Sequence, residues 1–351
     1  MEFLHSNYPP CKISGAHTFS EAFYDLLSET ERLDIAVGYV TSDSLAELKQ
    51  ILEQNTRIEK MNLTIGMHYI EKFTHSAYRA ACVLNRYLVS EQRGEVRLVT
   101  PFRYHGKLYS FSNSTSPFAG IIGSNNLSSI LGDATRTYES SVLIDDQAAA
   151  AEMNRFIQNL VSTSTDNIAD LEITDFDERN PLLEGHERVS KVDPQTLTEC
   201  KDSCTQLSFE IPIKGEEKSN LNACFGKGRE NKKTGIIQPR HWYEVELIVP
   251  KIVASQPGYP ISKTPEAEFD VITDDGWSFR CKVSGDYNKN FRSEGDLKIL
   301  GKWLKGRLEI SGALTPGERV TQQTLNAYGR STFTLTKTNK PNLWYLDFGV
   351  R

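Results

Sequence analysis

The apolar residues of this chain keep one rhythm through its first half and another through its second, and that change restricts the fold to two joined domains. Phe19, Ala22, Phe23, Leu26 and Leu27 recur at helical spacing and predict a helix over 19–29. A buried strand follows at 32–40, then a helix to Leu52 with Ser42 as its N-cap. The alternation continues with a strand at 61–67, a helix at 74–89, strands at 96–100, 107–111, 119–122 and 140–144, and a closing helix at 148–161. Strands alternating with helices indicate an α/β domain with a largely buried mixed sheet. From 207 onward the pattern is shorter and more regular. Strands are expected at 207–213, 242–249, 268–272, 278–283, 332–335 and 343–348, helices at 297–308 and 321–328, and a turn at Thr273-Asp-Asp-Gly276. This predicts a small, mostly antiparallel β-barrel. The stretch between is polar and punctuated by Asp177, Asn180-Pro181, Gly185 and Asp193-Pro194, and reads as a linker with room for one short helix. The expected division is 1–174, a linker over 175–206, and 207–351.

Three segments of the first half carry chemistry: Tyr104-His-Gly-Lys-Leu-Tyr109, Gly120-Ile-Ile-Gly-Ser-Asn-Asn-Leu-Ser128 and Thr137-Tyr-Glu-Ser-Ser-Val-Leu143. His105 and Lys107 are two apart, so on a strand they face one way. Ser124 and Asn126 share that spacing just beyond an apolar run, and Glu139 precedes another. A nucleophilic imidazole, a cation, hydroxyl and amide donors and an orienting carboxylate are a set that supports phosphodiester chemistry. No carboxylate cluster of the kind that holds magnesium accompanies them, so cleavage is expected to survive a chelator.

These residues resemble a single His-Lys-Asp motif of the phospholipase D superfamily, and the chain is similar to the BfiI/NgoFVII-type restriction endonucleases, the NgoAVII-like enzymes among them. The resemblance rests on His105, Lys107, Gly123-Ser124, Asn126 and Glu139. It departs from the pattern at Ser112, where the family usually has a supporting Asp. The resemblance implies a phospholipase D-like nuclease domain, a mixed sheet flanked by helices, followed by a mostly β, B3-like pseudobarrel that reads DNA. His105 would attack phosphorus and form a phosphohistidine. Glu139 would fix the imidazole tautomer, and Lys107, Ser124 and Asn126 would hold the nonbridging oxygens. Two histidines are needed and only one such motif is present, so a homodimer through the nuclease domain is implied. Some relatives recognise short GC-rich sites and work with a separate ATPase subunit. This chain carries no phosphate-binding loop of its own, so ATP and Mg²⁺ would enter only through such a partner.

Charge supports a polyanionic partner for the second half. Residues 1–200 carry a net −11 and residues 201–351 a net +5. Two basic segments stand out as recognition arms for double-stranded DNA. The first offers Lys227, Arg229, Asn231, Lys232, Lys233 and Arg240. The second offers Lys282, Ser284, Asp286, Asn288, Lys289, Asn290 and Arg292. Arg, Asn and Asp suit base edges, while lysines suit phosphates.

The six cysteines, Cys11, Cys82, Cys200, Cys204, Cys224 and Cys281, fit neither a disulfide framework nor a zinc module and are read as reduced thiols. No apolar run approaches a membrane span, and residues 1–10 lack the character of a signal peptide, so a cytoplasmic protein without a membrane partner is expected. Two other readings fit part of the pattern. One is a phospholipase D-type phosphodiesterase acting on lipid or RNA, which would more naturally carry a paired motif. The other is a catalytically silent DNA-binding protein, in which the intact set from His105 to Glu139 would have no use.

Overall fold

In the computed structural model, which describes residues 1–114, 116–132, 137–177, 182–217 and 219–350, the alternation of the first half becomes one mixed sheet between helices. Its strands are β1 (Glu2–His5), β2 (Arg32–Val37), β3 (Lys60–Ile65), β4 (Val96–Val99), β5 (Lys107–Ser112), β6 (Pro117–Gly123), β7 (Ser140–Ile144) and β8 (Thr165–Asn167). They lie in the order β1-β7-β6-β5-β2-β3-β4-β8. The pairs β2/β3 and β3/β4 are parallel, and the others are antiparallel.

Alternation along the strands sorts their side chains to two faces. Leu33, Ile35, Leu63, Tyr109 and Phe111 are packed in one core with residues of α1 (Phe19–Leu27), α2 (Ser42–Gln54) and α3 (His75–Ser90). Ala36, Val99 and Leu108 meet Met153, Ile157 and Leu160 of α4 (Gln147–Ser164) on the other face. Helix starts follow local side-chain chemistry. Thr18 and Glu21 form a capping box on α1, and Thr74 caps α3. The N-cap of α2 is Thr41 rather than Ser42, because the Thr41 hydroxyl accepts from the Ser44 N–H and so places Ser42 inside the first turn.

The chain separates into two compact units. The first comprises Met1–Arg179, Lys227–Trp242 and Thr315–Gly317, and the second comprises Asn180–Gly226, Tyr243–Leu314 and Glu318–Arg351. In the stretch read as a linker, Pro194–Asp202 is a helix (α5) capped by Asp193, and Ser190–Lys191 pairs with a strand of the second unit. Asn180 and Pro181 lie outside the described residues. The strands of the second unit are β9 (Cys204–Pro212), β10 (Leu247–Ile248), β11 (Glu268–Thr273), β12 (Trp277–Ser284), β13 (Asn290–Ser293), β14 (Thr332–Thr338) and β15 (Leu343–Asp347). They run in the open order β9-β14-β15-β11-β12-β13-β10, antiparallel except for β11/β15. The helices α6 (Lys298–Ile310) and α7 (Gln322–Tyr328) fall where the apolar pattern places them.

The strand expected over 242–249 shrinks to β10. The Tyr243 carbonyl lies so close to Gly301 of α6 that a Cβ there would come within 1.8 Å of it, and the Val245 N–H donates to the Leu297 carbonyl. This backbone is committed to a helix and cannot also serve a ladder.

Within the first unit, Arg229–Glu230 and Ile237–Gln238 form a two-stranded hairpin. Asn55, just beyond α2, anchors it. The Asn55 carboxamide oxygen accepts from Ile237 N–H at 2.8 Å, and its nitrogen donates to the carbonyls of Ile237 at 2.9 Å and Ile51 at 2.8 Å. Ile236 is buried beside it in the main core. Asn55→Ala leaves these buried backbone groups unpaired and is expected to destabilise the unit by about 1–3 kcal/mol, with faster amide exchange over 228–238. Urea unfolding with hydrogen exchange tests this, and an unchanged midpoint with unchanged protection would refute the anchoring role.

Candidate active site

The antiparallel insertion of β5 between β2 and β6 brings separate pieces of chain to one edge. β2 and β6 end there, while β5 and β7 begin there. His105 and Lys107 therefore stand beside Gly38-Tyr39, Ser124 to Asn126 and Glu139. Two glycines make the approach possible. A Cβ on Gly38 would press within 3.3 Å of the His105 ring, and one on Gly66 would lie 2.0 Å from the Tyr104 carbonyl. The Tyr104 N–H donates back to the Gly66 carbonyl at 3.0 Å, which pins the strand leading into His105.

His105 is exposed, whereas Lys107 is buried. The Lys107 ammonium donates to the His105 carbonyl at 2.8 Å and lies 3.2 and 3.1 Å from the two ring nitrogens. An in-plane ammonium that close to both would collide with Cε1, so it lies over the ring face. Burial pulls the Lys107 pKa below its ordinary value, and the charge of Glu139 works in the opposite direction.

The Ser124 hydroxyl donates to Glu139, and the backbone N–H of Ser124 donates to the Ser140 carbonyl at 2.9 Å. Asn126 turns its side-chain oxygen to the backbone N–H of Tyr39 at 3.1 Å, which leaves its amide nitrogen as the donor facing the site. Beneath it, Asn125 is buried. Its carbonyl accepts from Tyr109, its carboxamide oxygen from Ser141, and its nitrogen donates to Ser129. Among the described residues the imidazole has the Lys107 ammonium against its face and no hydrogen bond from Glu139. The orienting bond expected from Glu139 is not formed; Glu139 accepts from the Ser124 hydroxyl instead.

Four residues that no motif singles out complete the edge. The Tyr39 ring stands edge-on to His105, with centroids 5.6 Å apart. Its hydroxyl donates to Glu71 at 2.5 Å, and Glu71 pairs with Arg103 at 3.2 Å. His68 supports Tyr39 from below. Its Nε2 accepts from the Val40 N–H, so its Nδ1 carries the proton and donates to the Lys72 carbonyl. Burial lowers its pKa and keeps it neutral. Among the described residues no three His, Cys, Asp or Glu side chains are grouped to hold a metal ion, and no helix is long and apolar enough to cross a membrane.

The two basic segments fare differently. The first is the anchored hairpin of the first unit, with Lys227, Arg229, Asn231, Lys232, Lys233 and Arg240 exposed around it. Arg229 and Asn231 also line a cavity of about 250 Å³ with Tyr24 and Gln238. The second is built on β12 and β13. Lys282 is paired with Glu268 at 2.7 Å, Asn290 donates to Glu246 at 3.0 Å, and Arg292 lies 3.6 Å from Glu246. Asn288 accepts from the Ser262 N–H at 2.8 Å, Ser284 is half-buried, and Asp286 and Lys289 are exposed at the turn.

Residues 18–173 match the family model of the NgoFVII restriction endonuclease N-terminal PLD domain, and residues 199–339 match that of the NgoFVII C-terminal B3-like DNA-binding domain. No curated protein matches the chain. Solved structures with similar parts include the archaeal chromatin protein TrmBL2, at 12% identity and TM-score 0.27 over 41% of this chain and 48% of that one. They also include the phosphatidylserine synthase of Haemophilus influenzae Rd KW20, at 17% identity and TM-score 0.36 over 49% and 41%. A third is the phospholipase D family member Nuc from Salmonella typhimurium, at 13% identity and TM-score 0.33 over 47% and 97%. The chain thus spans about half or less of the first two proteins.

The opposing influences on Lys107 give a signed expectation. Glu139→Gln keeps an acceptor for Ser124 but removes the charge that raises the Lys107 pKa. Lys107 then loses its proton at lower pH, and the alkaline limb of the pH–rate profile for phosphodiester cleavage moves down. A limb that stays in place or moves up would contradict the coupling.

Proposed function

The chain belongs to the NgoFVII restriction endonuclease family, and from that premise we propose that it cleaves double-stranded DNA through a phosphohistidine at His105. The supporting observation is the gathering of His105, Lys107, Ser124, Asn126 and Glu139 at one sheet edge, in a chain that also carries a B3-like half. The imidazole nitrogen attacks phosphorus and the bond to the leaving oxygen breaks. Water then attacks phosphorus and returns the imidazole. Lys107 and the Asn126 amide stabilise the nonbridging oxygens as charge builds on them. Ser124 is held by Glu139 and donates its backbone N–H away from the phosphate, so its part is to set the position of Glu139. Glu139 acts by its field, keeping Lys107 charged. The leaving oxygen requires a proton from a second acid, which a homodimer would supply as the partner's copy of His105. No step requires a metal.

In this reading the second half selects the site. The exposed Lys289 and the hairpin cations Lys227, Arg229, Lys232 and Lys233 bind phosphates, while Asn290 and Arg292, oriented by Glu246, are held for base edges. A separate ATPase subunit would add a requirement for ATP and Mg²⁺ without touching the chemistry at His105.

Cleavage of a mixed-sequence plasmid in excess EDTA should give discrete fragments with the wild type and none with His105→Ala, while DNA binding by that variant is retained. Lys289→Ala should weaken binding several-fold and leave the maximal rate unchanged. A parallel arm with cell extract, ATP and Mg²⁺ tests for the ATPase partner. Equal cleavage by wild type and His105→Ala, or no cleavage in any arm, would end the nuclease reading.

A further inference from the structure

Beyond the five residues of the proposed chemistry, one connected set at the same edge has no assigned part: Tyr39, Glu71 and Arg103. They are far apart in sequence and are joined by side-chain contacts alone. Tyr39 touches three things at once. Its backbone N–H donates to Asn126, its ring edge meets His105, and its hydroxyl donates to one oxygen of Glu71. The other oxygen of Glu71 takes Nε of Arg103 at 3.2 Å. Both carboxylate oxygens are thereby used, and the guanidinium is gripped from one side. Its two terminal nitrogens have no partner among the described residues, and the side chain is 60% exposed.

Stability does not account for this arrangement. An ion pair as open as that of Glu71 and Arg103 contributes little to folding, and its geometry is ordinarily lost to side-chain motion. Here the carboxylate is itself held by a phenol packed on the His105 ring. That contact ties the carboxylate paired with Arg103 to the His105 ring and so brings the guanidinium to the nucleophile's edge. Arg103 precedes His105 by two residues, so their Cα atoms are within about 7 Å. A guanidinium bound through Nε presents its terminal nitrogens as a planar fork, which matches two oxygens of a phosphate.

We propose that Arg103, oriented by the Tyr39–Glu71 pair, clamps the DNA phosphate next to the scissile one. The inference rests on the nuclease reading and deepens it. Arg103 is a binding residue, and Tyr39 and Glu71 are positioning residues. The phosphate clamp ties the register of the backbone to the nucleophile, independently of whatever the B3-like half reads.

The test uses the full chain, with binding measured in the His105→Ala background and cleavage in the otherwise native protein. Arg103→Ala should raise KM for DNA roughly tenfold with kcat changed less than threefold, as expected for loss of one charge-assisted contact. The slope of log affinity against log salt should become shallower by about 0.9 per site. Arg103→Lys keeps the charge and loses the fork, so it should restore the salt slope while KM stays elevated. Tyr39→Phe keeps the ring and the backbone N–H and should raise KM in the same direction by a smaller factor. Arg103 is at the surface, and matching thermal melts of the variants exclude a folding defect. A wild type that cleaves while Arg103→Ala keeps native KM and salt slope overturns the clamp alone. A fall in kcat at unchanged KM overturns it too, because Arg103 would then act on the chemistry. A wild type that neither cleaves nor binds DNA overturns the nuclease reading and this inference with it.

Discussion

A parallel α/β sheet ordinarily offers a site at the carboxyl ends of its strands, where loops converge on a crevice. Here β5 runs against β2 and β6, so its first residues, not its last, arrive at that crevice. Lys107 is therefore the first residue of the strand, paired with Val37 of β2, and His105 lies two residues ahead of it. β7 repeats the geometry, which puts Glu139 at a strand start beside the end of β6. Reversing β5 would carry His105 to the opposite edge and dissolve the whole arrangement. The tight passages at Gly38 and Gly66 follow from the same constraint, because the incoming backbone of 104–106 has to cross the ends of β2 and β3 at near contact.

That placement creates an electrostatic problem and the structure contains its answer. Lys107 sits low in the strand and loses water, which disfavours its charged form. Glu139 is near enough to oppose the shift, with one carboxylate oxygen held by Ser124, and forms no ion pair with the lysine. Direct pairing would hold the cation back from the phosphate. Held by Ser124, the Glu139 carboxylate raises the Lys107 pKa through its charge alone.

Periodicity made most of the first unit readable, because buried strands and amphipathic helices have long, strong patterns. The short strands β1, β8 and β13 were not foreseen. Each is three or four residues long, and their pairing is set by neighbours rather than by their own alternation. The run from Trp242 to Val249 misled in the other direction, since Tyr243 and Val245 lie against Gly301 of α6 and within the run only Leu247 and Ile248 enter a ladder. At the site, the pairs two apart in sequence were legible as a shared face. Tyr39, Glu71 and Arg103 were not, because nothing local marks contacts across 32 residues or more. The second basic segment shows the same limit. Its cations are visible in the sequence, but the glutamates that restrain them come from elsewhere in the chain, Glu268 from β11 and Glu246 from just before β10.

Ser112, where the family pattern usually has an aspartate, is explained by the same register. It is buried on the α4 face of β5 and lies opposite Arg32, while Ser110 lies opposite Asp34. Asp34 is buried and already supplies a carboxylate to that face. It accepts from Arg32 at 2.7 and 3.1 Å, from Asn62 at 2.9 Å and from Asn154 of α4 at 3.3 Å, and Asn154 also reaches Ser110 at 3.0 Å. A second carboxylate at 112 would have to share Arg32 in a region with little water, and two buried like charges served by one cation are costly. A serine there keeps the face neutral overall. The polar support under β5 is thus delivered from the neighbouring strand, through Asp34, and β5, which begins at Lys107, carries no negative charge of its own.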